Sequence, residues 1–133
     1  MASNSKLSVE LQDGTDLIDE TVLEQLARDT SVQAVPAMIG VFLEETQGRM
    51  AHIASAHSVG DLDAVKDEVH ALKSTAGTFG ALYLQRLARY LERACGDRRA
   101  EETERAIAAM PGVLEQTFGQ LQAYCDRLDV GPD

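Results

Sequence analysis

Between residues 62 and 79 the apolar side chains Leu62, Val65, Val69, Leu72, Ala76 and Phe79 are separated by three, four, three, four and three positions. That alternation gathers them on one stripe of an α-helix and would scatter them over both faces of a strand. The segment therefore admits a helix with one buried side. The rest of the chain follows the same rule. β-branched residues do not alternate, Ala, Leu, Glu, Gln and Arg dominate, and aromatic residues are only 5% of the sequence. Such a chain favours helices and offers little from which to build a sheet.

The expected elements follow from caps and breakers. A short first helix should run from about Asp16 or Asp19 to Asp29, with Val22, Leu23 and Leu26 inward and an acidic start that suits the helix dipole. Thr30 and Ser31 are candidate caps for a second helix reaching about Ser58, with Pro36 in its first turn and Ile39, Phe42, Leu43, Met50 and Ile53 buried. Gly60 ends it, Asp61 caps the third helix, and Gly77 and Gly80 mark where the third one stops. A fourth, about Ala81 to Ala94, buries Leu84, Leu87, Leu91 and Ala94 and stops at Gly96. The fifth should run from near Asp97 to about Leu128, with a kink or break near Met110 where Pro111-Gly112 follows. Short connections make consecutive helices antiparallel. The expected fold is all-α: an antiparallel up-down-up-down four-helix bundle with a short extra N-terminal helix across one end. Residues 1–15 lack periodicity and contain the turn signal Asp13-Gly14, so they read as a flexible tail, with the domain over 16–129 and a C-terminal tail at 130–133.

A chain of 133 residues forms one domain and can bury a core of its own. Its 22 acidic and 12 basic side chains give a net charge of −10. Long-range repulsion then opposes general binding to nucleic acid or to an anionic membrane surface. No run approaches the roughly 18 apolar residues that span a bilayer, and Met1 to Ser8 is polar, without the apolar stretch of a signal peptide. The expected compartment is the cytoplasm. Cys95 and Cys125 match no metal-binding or redox spacing and read as reduced, mostly buried residues. In the expected topology they would lie some 40 Å apart, far beyond disulfide reach.

Enzyme signatures are missing. There is no GxGxxG, no GxxxxGK[ST] and no GxSxG. His52 and His57 are five apart rather than four, so they do not share a helix face, and no Glu precedes any histidine by three. A metal site is not expected, and these two histidines read as solvated or boundary residues. His70 differs by its position. It follows Val69, a core residue, and so is turned about 100° from the buried stripe toward solvent. On its flank stand Lys66, Asp67, Lys73, Ser74 and Gly77, and residues 74–78 are Ser, Thr, Ala, Gly and Thr. These small residues serve helix stability poorly and leave clearance beside an accessible imidazole.

The run His70-Ala71-Leu72-Lys73-Ser74-Thr75-Ala76-Gly77-Thr78-Phe79-Gly80 resembles the signature of histidine-containing phosphotransfer (HPt) domains: His, any residue, Leu, Lys, a small residue that is usually Gly, further small residues, and a Gly about ten after the His. The helix order from about Asp16 to Leu128 suits that family's bundle. The resemblance implies a phosphorelay carrier, with His70 phosphorylated at Nε2 and Lys73 offsetting the phosphoryl charge. The attacking nitrogen must be unprotonated, so the other must hold the proton against an acceptor. In the family a polar group of the next helix often serves. Glu92 falls at the matching place, where Gln is frequent, and Gln85 is a second candidate. Ser74 departs from the usual Gly and bears on transfer speed or partner choice.

Arg86, Arg89 and Arg93, three and four apart on the following helix, could steer an acidic partner or could be a solvated face. Phe79 and Leu82 read as core. The expected function is histidine phosphotransfer between receiver-domain aspartates of a hybrid sensor kinase and a response regulator. His70, Lys73 and Glu92 would do the chemistry, and Lys66, Asp67, Ser74, Gly77, Gln85 and Arg89 would meet the partner. The chain would be a carrier rather than a kinase, since no ATP-binding motif is present. It would need no cofactor of its own, with Mg2+ on the receiver, and no second exposed apolar stripe suggests a dimer. The alternative is a helical module that docks receiver or kinase domains without being phosphorylated.

Overall fold

A computed structural model describes residues 16–128, all of whose regular structure is helical. The expected tails at 1–15 and 130–133 lie outside the described residues. Helix α1 spans Glu20–Asp29, α2 Val35–Ser58, α3 Leu62–Thr78, α4 Leu82–Gly96 and α5 Ala100–Arg127, with a 3-10 turn at Val32–Ala34.

Local chemistry sets most boundaries. The Asp19 side chain accepts from the Thr21 N–H and starts α1, and the Asp61 side chain accepts from the Ala64 N–H and starts α3. Thr30 closes α1, its hydroxyl donating to the Leu26 carbonyl, instead of opening α2. Ser31 caps the 3-10 turn, which delivers the chain to α2 with Pro36 in its first turn. Gly60 and Gly80 take positive φ angles of 76° and 65° after α2 and α3. Between α4 and α5 the expectation fails. Gly96 is still helical, Arg98 adopts the left-handed conformation at φ 57°, and α5 starts at Ala100 rather than near Asp97.

Of the kink or break expected near Met110, the break does not occur: α5 runs through Pro111 as one helix. Proline removes one N–H from the ladder and crowds the preceding turn, at about 3 kcal/mol. Met110, Val113 and Leu114 are buried around it, while Pro111 and Gly112 face solvent. Burying several such side chains, at about 1.5–3 kcal/mol each, outweighs that loss.

Helices α2 to α5 pack in ring order, each against the next, and α2 closes against α5. The core is formed by Ile39, Phe42 and Ile53 of α2, Val65, Val69, Leu72 and Ala76 of α3, Leu84, Leu87 and Leu91 of α4, and Ala106, Met110 and Leu121 of α5. Leu43, Met50, Phe79 and Leu82 are only half-buried, although Phe79 stacks on Phe42 with ring centroids 4.8 Å apart. Thr46, Thr103 and Thr117 are buried too, each hydroxyl donating to the carbonyl four residues earlier. Residues 17–19 strap the N-terminal end of α1 to the α3–α4 turn. The Asp19 N–H donates to the Gly80 carbonyl at 2.8 Å, the Tyr83 N–H donates to the Leu17 carbonyl, and Ile18 is buried between.

Cys95 is buried and Cys125 half-buried, and both are free thiols. Among the described residues, no helix is long and apolar enough to cross a membrane.

Candidate functional site

Helix α3 carries His70 between two fully buried anchors, Val69 and Leu72, which fix the rotation of the helix. Turned off that stripe, the His70 side chain is 65% exposed. Helix α4 packs alongside and brings up Glu92, whose carboxylate serves two groups of α3 at once. Its Oε2 lies 2.8 Å from His70 Nδ1, and its Oε1 accepts from Lys73 Nζ at 2.7 Å. Glu92 is mostly covered, at 19% side-chain exposure, and its bond to Lys73 is partly shielded from water, whereas its bond to His70 is open to solvent.

The protonation pattern follows from this arrangement. The Lys73 hydrogen bond, more than any other influence, holds the Glu92 carboxyl below the usual carboxylate range; partial burial opposes it, and the His70 bond adds to the lowering. An ionised carboxylate can only accept, so the bond to His70 requires the proton on Nδ1. A neutral ring then carries its lone pair on Nε2, away from Glu92. The geometry presents a nucleophilic nitrogen on a rigid helix, with a cation one turn further on.

Of the two polar groups expected to reach the imidazole, Glu92 does and Gln85 does not. The Gln85 side chain instead lies over Gly77 and points its amide at the Lys73 carbonyl, 3.5 Å away. A Cβ built on Gly77 would meet Gln85 Nε2 at 2.5 Å, so this glycine makes room for Gln85 as well as leaving clearance for an approaching molecule. Ser74 is exposed, and Thr75 and Thr78 turn their hydroxyls back to the helix carbonyls of Ala71 and Ser74, which keeps the surface low. Asp67 is exposed on the outer side of α3. Lys66 is exposed and lies toward the C-terminal end of α4, its Nζ near Gly96. Arg86, Arg89 and Arg93 are all exposed, with Arg89 one turn before Glu92.

Two features were not read from the sequence. One is the sharing of Glu92 between His70 and Lys73. The other lies on the far side of α3, where Arg49 of α2 bonds Glu68 at 3.0 Å and His52 stands 3.7 Å from the same carboxylate. Both depend on how neighbouring helices are phased, which spacing within one helix does not reveal. Among the described residues no three His, Cys, Asp or Glu side chains are grouped to hold a metal ion.

Residues 37–130 match the Hpt domain family. The chain belongs to that family. The Hpt assignment agrees with curated relatives: the phosphorelay protein LuxU of Vibrio vulnificus strain YJ016 is 28% identical over 109 residues, covering 82% of this chain and 92% of that protein. LuxU of Vibrio cholerae is also 28% identical over 109 residues, covering 82% of this chain and 94% of the relative. Among solved structures, the histidine-containing phosphotransfer protein HptB of Pseudomonas aeruginosa PAO1 superposes with a TM-score of 0.76 at 21% identity, covering 85% of this chain and 97% of that one. The expected helical-bundle fold is therefore correct, and histidine phosphotransfer in a phosphorelay is the role of this Hpt domain. Hpt proteins work with receiver domains and response regulators, which fixes the kind of partner.

Proposed function

We propose that His70 is the phosphorylated residue and that the protein, a cytoplasmic monomer, carries the phosphoryl group between aspartates of a hybrid kinase receiver and a response regulator. The supporting observation is the 2.8 Å bond from His70 Nδ1 to Glu92, which puts the Nδ1 proton against the carboxylate, so that in the neutral ring the lone pair sits on Nε2 of an exposed side chain. The Nε2 lone pair attacks the phosphorus of a receiver aspartyl phosphate. The N–P bond forms as the P–O bond to the aspartate breaks, and the aspartate leaves as a carboxylate. The ring keeps its Nδ1 proton, and Glu92 faces the positive charge that develops there. Lys73, one turn away, offsets charge on the phosphoryl oxygens. Lys66, Asp67, Ser74 and Arg89, with Gln85 laid over Gly77, form the surface that meets the receiver. The receiver brings the divalent cation, and this chain supplies a positioned nucleophile and a docking face.

The test is transfer from a phosphorylated receiver domain to the wild-type protein and to His70→Gln. An acid-labile, base-stable label on the wild type alone is the expected result. If receivers bind the wild type yet none ever labels it, the carrier reading fails and an unphosphorylated docking module replaces it.

A further inference from the structure

The charge on this molecule is segregated. Residues 62–99, which hold both helices of the site, carry seven of the 12 basic side chains and only five of the 22 acidic ones. This stretch is net positive on a chain of −10. Pairing is segregated too. Among the described residues, Arg49, Lys73, Arg99, Arg105 and Arg127 each sit within ion-pair distance of a carboxylate. Arg28 bonds Gln25. The cations left without any side-chain partner among the described residues are Lys66, Arg86, Arg89, Arg93 and Arg98, and all five lie between residues 62 and 99.

Their placement has a direction. On α4, Arg89, Arg93 and Arg86 are turned roughly 60°, 100° and 120° from Glu92 at 100° per residue. They form a stripe on the outer side of the helix, flanking the line where Glu92 meets His70 and Lys73. All three are exposed. Three free guanidinium groups side by side repel one another, and they contribute nothing to folding through pairing. A protein with 17 acidic groups elsewhere could have neutralised them by ordinary neighbour pairs, as it does with Arg105 and Glu101.

We infer that the Arg86–Arg89–Arg93 stripe is a docking and selection surface for a receiver domain whose rim around the phosphorylatable aspartate is acidic. The inference rests on the carrier reading for the kind of partner, and adds the chemistry by which one receiver is chosen over another. Because the rest of the molecule is strongly negative, a partner with an acidic rim is attracted only in the orientation that brings its rim to α4. The field therefore selects orientation as well as partner, and orientation at α4 is orientation at His70. A receiver with a neutral rim gains nothing from the stripe, and one with a basic rim is repelled by it and drawn toward the acidic side chains of α5, away from the imidazole.

The test compares two variants of equal net charge, −13 each. One is Arg86→Gln/Arg89→Gln/Arg93→Gln. The other is Gln47→Glu/Gln116→Glu/Gln120→Glu, which places the same change on exposed positions of α2 and α5. Receiver domains of the source genome, expressed singly, serve as probes in stopped-flow association and in phosphotransfer. For receivers with an acidic rim, the arginine variant should associate at least about tenfold more slowly than wild type at low salt, the gap closing as salt rises. The glutamine-to-glutamate variant should stay within about twofold of wild type. Equal slowing in both variants would leave only a net-charge effect and overturn the inference. So would association that is indifferent to salt and to the arginines, or binding confined to receivers with neutral or basic rims. The two readings fail separately. Labelling of His70 with no dependence on the arginines removes the selection surface and keeps the carrier. Salt-sensitive, arginine-dependent docking with no label on His70 removes the carrier and keeps the surface.

Discussion

Glu92 is the residue on which the site turns. It sets the tautomer of His70 and holds Lys73, and its carboxyl is kept below the usual range chiefly by the Lys73 bond. Replacing it by Gln leaves an acceptor for Nδ1 but removes the charge. Glu92→Gln should lower stability by about 1 kcal/mol near neutral pH and slow phosphotransfer to His70. The sign of the pH dependence follows from a folded-state value below the unfolded one. The contribution of Glu92 is fully present above its ordinary value of 4.5 and is lost as pH falls through the lowered folded value. Urea midpoints of the two proteins should differ above about pH 5 and converge on further acidification. A gap undiminished in acid would show that the carboxylate is not held by Lys73 and His70. The exposure of His70 beside a core stripe, with Lys73 on its flank, was legible in the spacing, and the approach of Glu92 to the imidazole followed from the resemblance. The double use of Glu92 was not, since it depends on the relative phase of two helices. Gln85 misled for the same reason: its polarity was visible, and its position over Gly77 was not.

Two elements show local signals that fared differently. Gly80 ends α3 with φ at 65°, and a Cβ there would stand 2.7 Å from the Asp19 carbonyl oxygen, a backbone atom that cannot swing aside. Left-handed strain and that collision add up, so Gly80→Ala should destabilise by about 2 kcal/mol or more. Pro111 lies exposed inside α5, with no turn for it to serve. Pro111→Ala should stabilise by about 1–3 kcal/mol, because it restores a ladder hydrogen bond without disturbing the buried side. Chemical denaturation of the two variants in parallel should move the midpoints in opposite directions. Movement of both the same way would contradict this account of one or the other. Gly80 was readable as a stop because a helix end needs only its own residue in the left-handed region. Pro-Gly is a local signal, and burial of Met110, Val113 and Leu114 overrides its tendency to break the helix at Pro111. The α4–α5 turn defeated local reading differently, since the positive φ fell to Arg98 rather than to the available Gly96.

At the scale of the whole molecule, the order of helices followed from short connections alone, and the core from spacing. The buried threonines were not foreseen, because their hydroxyls are satisfied within their own helices and so tolerate a place that polarity alone would deny them. The bundle protects its two thiols unequally. Cys95 is 5% exposed, Cys125 is half-buried, and burial pushes both thiols up, away from the reactive thiolate. A disulfide-exchange reagent, followed by mass spectrometry, should modify Cys125 first, with Cys95 reacting only as fast as the bundle opens. Equal rates at both positions would mean that α4 and α5 separate locally far more often than their packing suggests. The unpaired arginines have a different consequence, which concerns descent rather than energy. Arg86, Arg89 and Arg93 touch no other side chain of the described fold through a hydrogen bond or ion pair, so substitutions there leave the core and the His70–Glu92 contact intact. The positions that choose a partner can drift independently of those that keep the bundle folded. A duplicated copy of such a gene could acquire a new allegiance in a few single-residue steps, each passing through a folded, transfer-competent ancestor.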